Sequence, residues 1–163
     1  MKLGLSILVG FVALQSCVTP TFSQESESNV MFIFDSSGSM KKKIESGESR
    51  SEAAKRAMVT ALEAMPETAK LGLFMYGHRR AKDCSDFEML AMPGAGTGKA
   101  IAKAVMDSQP KGETPIADAL NAVAFYFSAL PSQSNSIVLV TDGIEECGGD
   151  PCAEAKKIRE SGT

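Results

Sequence analysis

The stretch Val-Met-Phe-Ile-Phe-Asp-Ser-Ser-Gly-Ser at residues 30–39 decides the fold. Its first five residues are an apolar run of strand length without polar alternation, which is typical of a strand buried on both faces of a parallel sheet. Asp35, Ser37 and Ser39 alternate along the loop that follows, and Gly38 allows that loop to bend sharply. Hard oxygen donors of this kind select Mg²⁺, Mn²⁺ or Ca²⁺. The loop therefore predicts a divalent-cation site at the end of a strand.

Two further apolar runs, at residues 71–76 and 137–140, have the same character and predict two more buried strands. The run at residues 87–91 follows a polar, turn-like segment, so we expect it to pair back on the 71–76 strand as a short edge strand. Strands with continuous apolar character usually lie parallel and are covered by helices on both faces.

Helical patterns separate these strands. Ser49 and Glu52 form the S-x-x-E pattern of a capping box, which predicts a helix that ends before Pro66. Thr114 and Asp150 each stand just before a proline, an arrangement typical of an N-cap followed by the first helical residue. The predicted helices cover residues 50–65, 99–107, 115–130 and 151–161.

The order of these elements predicts a three-layer α/β/α, Rossmann-like sandwich with a mainly parallel sheet. Right-handed crossovers place the first strand in the middle of such a sheet, and ligands bind at the carboxyl ends of its strands. Asp35 and Asp142 both follow a strand, and Thr114 lies in a loop above them, so we expect the three side chains to converge. Taken singly, Thr114 fits an ordinary helix cap, and Asp142 fits a turn residue before Gly143.

The chain has 163 residues, of which 44% are hydrophobic and 23% charged, as expected of one globular domain. Its first 23 residues fit a secretory signal peptide, since Lys2 supplies positive charge, residues 3–14 are apolar, and small residues precede a cleavage point. The apolar stretch is shorter than the roughly 20 residues of a membrane-spanning helix. A short polar lead-in at residues 24–29 then precedes the folded domain at residues 30–163.

These features predict export, with the mature protein in a periplasm or outside the cell. A lipoprotein anchored at Cys17 is the lesser alternative, because Gln15 suits a lipobox poorly. Loss of Lys2 with the signal peptide leaves 16 basic and 20 acidic residues. That acidic balance argues against nucleic acid as a partner.

Three cysteines follow the signal peptide, so we expect one disulfide and one free thiol in an oxidising compartment. Cys147 and Cys152 flank a four-residue loop and form the simplest pair. Cys84 is the alternative partner, and all three pairings stay open. A zinc site would need a fourth ligand, and His78 is the only histidine.

The motifs together resemble the von Willebrand factor type A domain family. Its metal-ion-dependent adhesion site (MIDAS) uses a D-x-S-x-S loop, a distant Thr and a distant Asp. Asp35, Ser37 and Ser39 match the first motif, Thr114 in Gly-Glu-Thr-Pro matches the second, and Asp142 in Thr-Asp-Gly matches the third. The resemblance runs from about residue 29 to residue 163 and is strongest to the bacterial exported branch of the family.

The resemblance implies that these five residues bind Mg²⁺, Mn²⁺ or Ca²⁺. In this family the serine hydroxyls bind the ion directly, and an acidic side chain of a protein partner often completes its coordination. Neutral hydroxyls offset little of the ion's charge, which leaves it electrophilic toward such a carboxylate. We therefore expect a non-enzymatic, cation-dependent protein-binding module.

Two alternatives to this hypothesis belong to other classes. One is a metal-assisted hydrolase, which needs a positioned base that the sequence does not single out. The other is a structural domain regulated by its disulfide. The chain ends at Thr163, where a family member would enter its next strand. We therefore expect a C-terminally truncated sheet with the 137–140 strand at an unprotected edge.

Overall fold

The computed structural model describes residues 28–130 and 134–162. The predicted signal peptide at residues 1–23, with Cys17, and residues 24–27 of the predicted lead-in lie outside the described residues. The first strand begins at Ser28, two residues before the predicted start at Val30. Within the described ranges no helix is long and apolar enough to cross a membrane.

The described residues form four strands, four α-helices and one 3₁₀ turn. The strands are β1 (Ser28–Asp35), β2 (Lys70–Tyr76), β3 (Phe87–Gly94) and β4 (Ser134–Val140). The helices are α1 (Arg50–Glu63), α2 (Gly98–Asp107), α3 (Ile116–Ser128) and α4 (Pro151–Glu160). The 3₁₀ turn, at Gly38–Lys41, was not predicted.

The sheet has the strand order β3-β2-β1-β4. Strand β1 lies in the middle and is parallel to both β2 and β4, whereas β3 is antiparallel to β2. In this register Asp35 pairs with Tyr76, and Phe34 pairs with Val140. The predicted mainly parallel sheet is confirmed, and the register brings the loops after β1 and β4 to the same edge.

Helices cover both faces of the sheet and create two cores. Phe32 and Phe34 of β1 pack on the side of α1 and α2, while Met31 and Ile33 pack on the side of α3 and α4. All four side chains are buried. Burial of each large apolar side chain contributes about 1.5–3 kcal/mol, so β1 anchors both layers.

Strand β3 is longer than the predicted run at residues 87–91, because it continues through Pro93 to Gly94, where a loop was expected. The pairing with β2 extends to Leu71 opposite Gly94, with irregular register between. Proline is tolerated there since β3 is an edge strand, where a backbone N–H on the outer side has no strand to bond.

The capping box predicted at the start of α1 is confirmed, whereas the N-cap predicted at Thr114 for α3 is wrong. Ser49 and Glu52 form both hydrogen bonds of a capping box at the start of α1. Helix α3 begins at Ile116, and Thr114 does not cap it. Instead, the amide of Ala117 donates to the carboxylate of Glu145 at 2.9 Å. A carboxylate on the loop after β4 thus satisfies the helix start, where negative charge is favoured.

The disulfide joins Cys84 to Cys147, so the simplest predicted pair, Cys147 with Cys152, is wrong. Cys152 is an exposed free thiol in the first turn of α4, a helix capped by Asp150. The helix start holds Cys152 on α4, while the loop between β2 and β3 carries Cys84 to the same edge of the sheet as Cys147. One disulfide and one free thiol among these three cysteines agree with the expectation.

The loop between β2 and β3 is shaped by the buried carboxylate of Asp86. The backbone amides of Arg79 and Arg80 donate to Oδ2 at 2.7 and 2.8 Å, and Nε of Arg79 donates to Oδ1 at 2.8 Å. Burial alone would raise the pKa of Asp86, but these hydrogen bonds outweigh it and the pKa is lowered. The ionised carboxylate therefore stabilises the loop that carries Cys84.

Loss of the disulfide is expected to destabilise the fold. Cys84 and Cys147 are 63 residues apart, so Cys84→Ser with Cys147→Ser should lower the free energy of unfolding by about 2–5 kcal/mol. Denaturant unfolding measures this, with Cys152→Ser as the matched control expected to leave stability unchanged. Peptide mapping that finds a bond between Cys147 and Cys152 would contradict the pairing.

The contribution of Asp86 should depend on pH. Its folded-state pKa is lowered, so its stabilisation is present above the unfolded pKa, near 3.9, and is lost as pH falls through the folded pKa. Asp86→Asn should therefore cost about 1–3 kcal/mol at pH 7. Thermal unfolding from pH 7 to pH 2.5 should show the gap to wild type closing below about pH 4. A difference in stability between wild type and Asp86→Asn that stays constant with pH would contradict this role of Asp86. An equal loss of stability in the exposed control Asp107→Asn would also contradict it.

Candidate metal centre

The last residue of β1, Asp35, is buried at the carboxyl edge of the sheet. Its Oδ1 accepts a hydrogen bond from the amide of Ser37 at 2.7 Å. Its Oδ2 accepts one from the hydroxyl of Thr141 at 2.6 Å. The two bonds fix the carboxylate between the loop after β1 and the loop after β4.

A short chain of oxygens links the two loops. The hydroxyl oxygens of Ser37 and Ser39 are 3.0 Å apart, and the hydroxyl of Ser39 donates to Oδ1 of Asp142 at 2.9 Å. Because Ser39 gives its only hydroxyl proton to Asp142, Ser37 is the donor to Ser39. The 3₁₀ turn that starts at Gly38 holds Ser39 in place for this contact.

Thr114 lies beside the same cluster, buried in the loop before α3. Its hydroxyl donates to Oε2 of Glu146 at 2.8 Å, and its carbonyl accepts from the amide of Glu146 at 3.2 Å. A Cβ built on Gly143 would lie 3.5 Å from Oδ2 of Asp35 and 3.6 Å from Oγ1 of Thr114. Thr114 and Asp35 therefore lie on either side of Gly143, and the hydroxyl of Thr114 donates to Glu146 and caps no helix.

Backbone contacts between three loops support the cluster from below. The amides of Lys111 and Gly112 both donate to the carbonyl of Gly77, at 3.0 and 2.8 Å, and the amide of Gly38 donates to the carbonyl of Gly112 at 2.8 Å. A Cβ on Gly77 would lie 2.9 Å from the Cα and amide nitrogen of Ser37, and one on Gly112 would lie 2.6 Å from the carbonyl of Arg80. Only glycine permits this approach, and Gly77 also has a positive φ of 69°.

Tyr76 and Thr141 form a support for Asp35 that sequence reasoning missed. The hydroxyl of Tyr76 donates to that of Thr141 at 3.2 Å, and Thr141 in turn donates to Asp35. Burial, and then the negative charge of Asp35, raise the pKa of Tyr76 far above its ordinary value, so Tyr76 stays protonated and donates. The alignment of Asp35 with Tyr76 across parallel strands was the pattern that could have indicated this contact.

Arg50 is a second residue that sequence reasoning missed. Its guanidinium forms an ion pair with Oδ2 of Asp142, whose Oδ1 is held by Ser39. Arg50 is the first residue of α1, and no feature of the sequence pattern connects it to Asp142, 92 residues away. Glu146, on the loop after β4, is a further residue of the site, since its carboxylate accepts the hydroxyl of Thr114.

The donor set fits a hard divalent cation. Neighbouring oxygens around an octahedral Mg²⁺ lie about 2.8–3.0 Å apart, since each is 2.0–2.1 Å from the ion. The steps from Ser37 to Ser39 and from Ser39 to Asp142 measure 3.0 and 2.9 Å. Within the described ranges no group of three or more His, Cys, Asp and Glu side chains could hold a metal. Besides Asp35 and Asp142, the oxygens of this cluster include the hydroxyls of Ser37 and Ser39.

The sequence matches the model of a known family over most of the fold. The matching family is the von Willebrand factor type A domain, over residues 30–145, a range that includes all five predicted metal ligands. The chain is also 34% identical to the uncharacterized protein YwmD of Bacillus subtilis (strain 168) over 170 residues, which cover 98% of this chain and 75% of that protein.

Solved structures share the fold at lower identity. The vWF domain of the type V pili tip protein Mfa5 from Porphyromonas gingivalis superimposes with a TM-score of 0.59 at 16% identity over 74% of this chain. Proximal thread matrix protein 1 from the mussel byssus, with a zinc-occupied MIDAS motif, superimposes with a TM-score of 0.60 at 17% identity over 84% of this chain. The chain spans only 39% and 36% of those two solved chains.

The aligned regions cover 74% and 84% of this chain, whose sheet has β1 between the parallel strands β2 and β4. The match over residues 30–145 covers the strands and loops that build the cluster. Sequence and fold thus agree, and the chain belongs to the von Willebrand factor type A domain family.

Proposed function

We propose that this protein is a divalent-cation-dependent protein-binding module that uses Asp35, Ser37, Ser39, Thr114 and Asp142 as a MIDAS. The observation that carries the proposal is the oxygen chain from Ser37 through Ser39 to Asp142, with steps of 3.0 and 2.9 Å. These separations suit hydrogen bonds and also neighbouring ligands of one ion. The oxygens can therefore exchange protons for a cation with little movement.

The ion that this donor set favours is Mg²⁺, with Mn²⁺ or Ca²⁺ as alternatives. Two carboxylates and three hydroxyls are hard oxygen ligands, which suit these three ions. Asp35 is anchored by Ser37 and Thr141 and so presents its negative charge from a fixed position. The hydroxyl ligands are neutral, so a bound ion keeps net positive charge and attracts an outside anion.

The partner we propose is a protein that offers an acidic side chain to the site. Ile144 follows Asp142 by two residues in the loop after β4 and is 85% exposed. An apolar side chain beside an electrophilic centre suits a protein surface that surrounds one carboxylate with apolar groups. The likeness to a pilus tip domain and to a byssus matrix protein supports a role in protein contact.

We propose a binding role rather than a catalytic one. Hydrolysis at a metal needs a carboxylate or imidazole free to accept a proton beside the ion. Glu145 and Glu146, the acids that follow Asp142 in the chain, already accept hydrogen bonds from Ala117 and Thr114. Their carboxylates support the structure around Thr114.

We also propose that the protein is exported and acts in a periplasm or outside the cell, as in the bacterial exported branch of the family. The signal peptide predicted at residues 1–23 supports this. The disulfide between Cys84 and Cys147 is of the kind that persists in an oxidising compartment. Mass spectrometry of the mature protein distinguishes a free N-terminus near Gln24 from lipid attachment at Cys17.

Metal binding should depend on Asp35. Calorimetric titration of Mg²⁺ or Mn²⁺ into the wild-type protein should show one site, and Asp35→Asn should weaken binding at least tenfold by removing one of two carboxylates. Asp107→Asn is the matched control, because Asp107 is exposed and pairs with Lys103 outside the site. Equal binding by wild type and Asp35→Asn, or none by either, would refute the metal site.

An acidic peptide should bind next to the ion. With Mn²⁺ as the probe, exchangeable water on the ion speeds the relaxation of water protons, and a carboxylate that replaces this water slows it. A short apolar peptide with one Asp should lower the relaxation rate, whereas the same peptide with Asn should not. The Ser39→Ala variant should respond weakly to both peptides. Equal responses to the Asp and Asn peptides would contradict an acid-recognising site.

A further inference from the structure

Arg50 holds one oxygen of a proposed metal ligand. Its guanidinium pairs with Oδ2 of Asp142, while Ser39 donates to Oδ1 at 2.9 Å. The side chain of Asp142 is only 13% exposed, whereas that of Arg50 is 37% exposed. Asp142 therefore has both oxygens engaged, one by a hydroxyl of the site and one by a cation from α1.

The position of Arg50 is fixed by the segment that also carries Ser39. Lys42 directly follows the 3₁₀ turn of Ser39, and its carbonyl accepts a hydrogen bond from the amide of Arg50 at 2.9 Å. The capping box between Ser49 and Glu52 then fixes the first turn of α1. The hydrogen-bonded backbone therefore holds the guanidinium of Arg50 next to Asp142.

Helix geometry does not explain a cation at this place. The N-terminus of a helix carries partial positive charge, which disfavours Arg at the first position by about 0.3–1 kcal/mol. Arg50 is the first residue of α1, and the acidic residue of that turn, Glu52, is used by the capping box. The ion pair with Asp142 is thus the contact that compensates the charge of Arg50.

We infer that Arg50 is an internal cation that competes with the divalent ion for Asp142 and so sets the metal affinity of the site. This inference rests on the proposed function. Two cations cannot share one carboxylate without mutual repulsion, so Asp142 must weaken its contact with Arg50 when it serves a metal. Arg50 thereby positions Asp142 in the absence of metal and lowers affinity for metal.

A thermodynamic cycle makes the inference quantitative. Arg50 stabilises the metal-free fold through Asp142, and metal binding removes that contact. The free energy of unfolding that Arg50→Gln loses without metal therefore equals the free energy of metal binding that the variant gains. Arg50→Gln should therefore bind Mg²⁺ and Mn²⁺ about five- to tenfold more tightly than wild type, a change of about 1–1.4 kcal/mol. The same variant should unfold at a lower temperature in chelator, with the gap closing in saturating Mg²⁺.

The matched control is Arg56→Gln. Arg56 lies on the same helix, and its ion-pair partner Glu48 is outside the site. This substitution makes the same change in net charge, so a general electrostatic effect would shift both variants alike. We expect the calorimetric affinity of Arg56→Gln to stay within twofold of wild type. Arg50→Lys keeps the charge but lacks the planar guanidinium, so its metal affinity should lie between those of wild type and Arg50→Gln.

The outcomes separate this inference from the proposed function. If wild type binds metal and Arg50→Gln binds it equally or more weakly, competition by Arg50 is overturned and the metal site stands. If neither protein binds metal, the proposed function and the inference both fail. If Arg50→Gln does not fold, Arg50→Met, which also removes the charge, decides, since metal affinity equal to wild type in that variant overturns the competition.

Discussion

The candidate site depends on the direct contact of three backbone loops beneath it. Gly77 brings the loop after β2 against Ser37, and Gly112 brings the loop before α3 against Gly77 and the carbonyl of Arg80, at distances that exclude a Cβ on either glycine. The hydrogen bonds among these loops run from backbone to backbone, so they hold the loops without using a side chain. A side chain at either glycine would push the Thr114 loop away from Asp35.

Charge is the second constraint on this edge of the sheet. Asp35 and Asp142 place two carboxylates at this edge, and Glu146 bonds to the neighbouring Thr114, so each acid needs a donor or a cation. Thr141 donates to Asp35, Thr114 donates to Glu146, and Arg50 neutralises Asp142. The site thus satisfies its acids with hydroxyl groups and one arginine. Hydroxyl groups exchange easily between hydrogen bonding and metal coordination, whereas the positive charge of the guanidinium opposes a metal ion on the same carboxylate.

The disulfide connects the fold to this arrangement. Cys147 directly follows Glu145 and Glu146, which bond to the start of α3 and to Thr114. Its bond to Cys84 fixes the loop after β4 to the loop after β2, which also carries Gly77. The loop after β4, residues 141–150, carries several acids and would otherwise gain entropy by leaving the site. The covalent link restricts that freedom and keeps the two glutamates beside their partners.

The sequence by itself determined the layers and the mainly parallel sheet, because hydrophobic periodicity is a local property of the chain. The order of the strands along the chain also placed Asp35, Ser37, Ser39 and Asp142 at one edge of the sheet. The sequence also placed the capping box of α1 and the proline start of α4, which depend on neighbours in the chain. Only the tertiary structure decided the partners of Arg50, Thr114 and Cys84. Arg50 meets Asp142 from 92 residues away, and Cys84 meets Cys147 from 63. Such contacts follow from strand register and loop packing, which set distances that spacing along the chain does not encode.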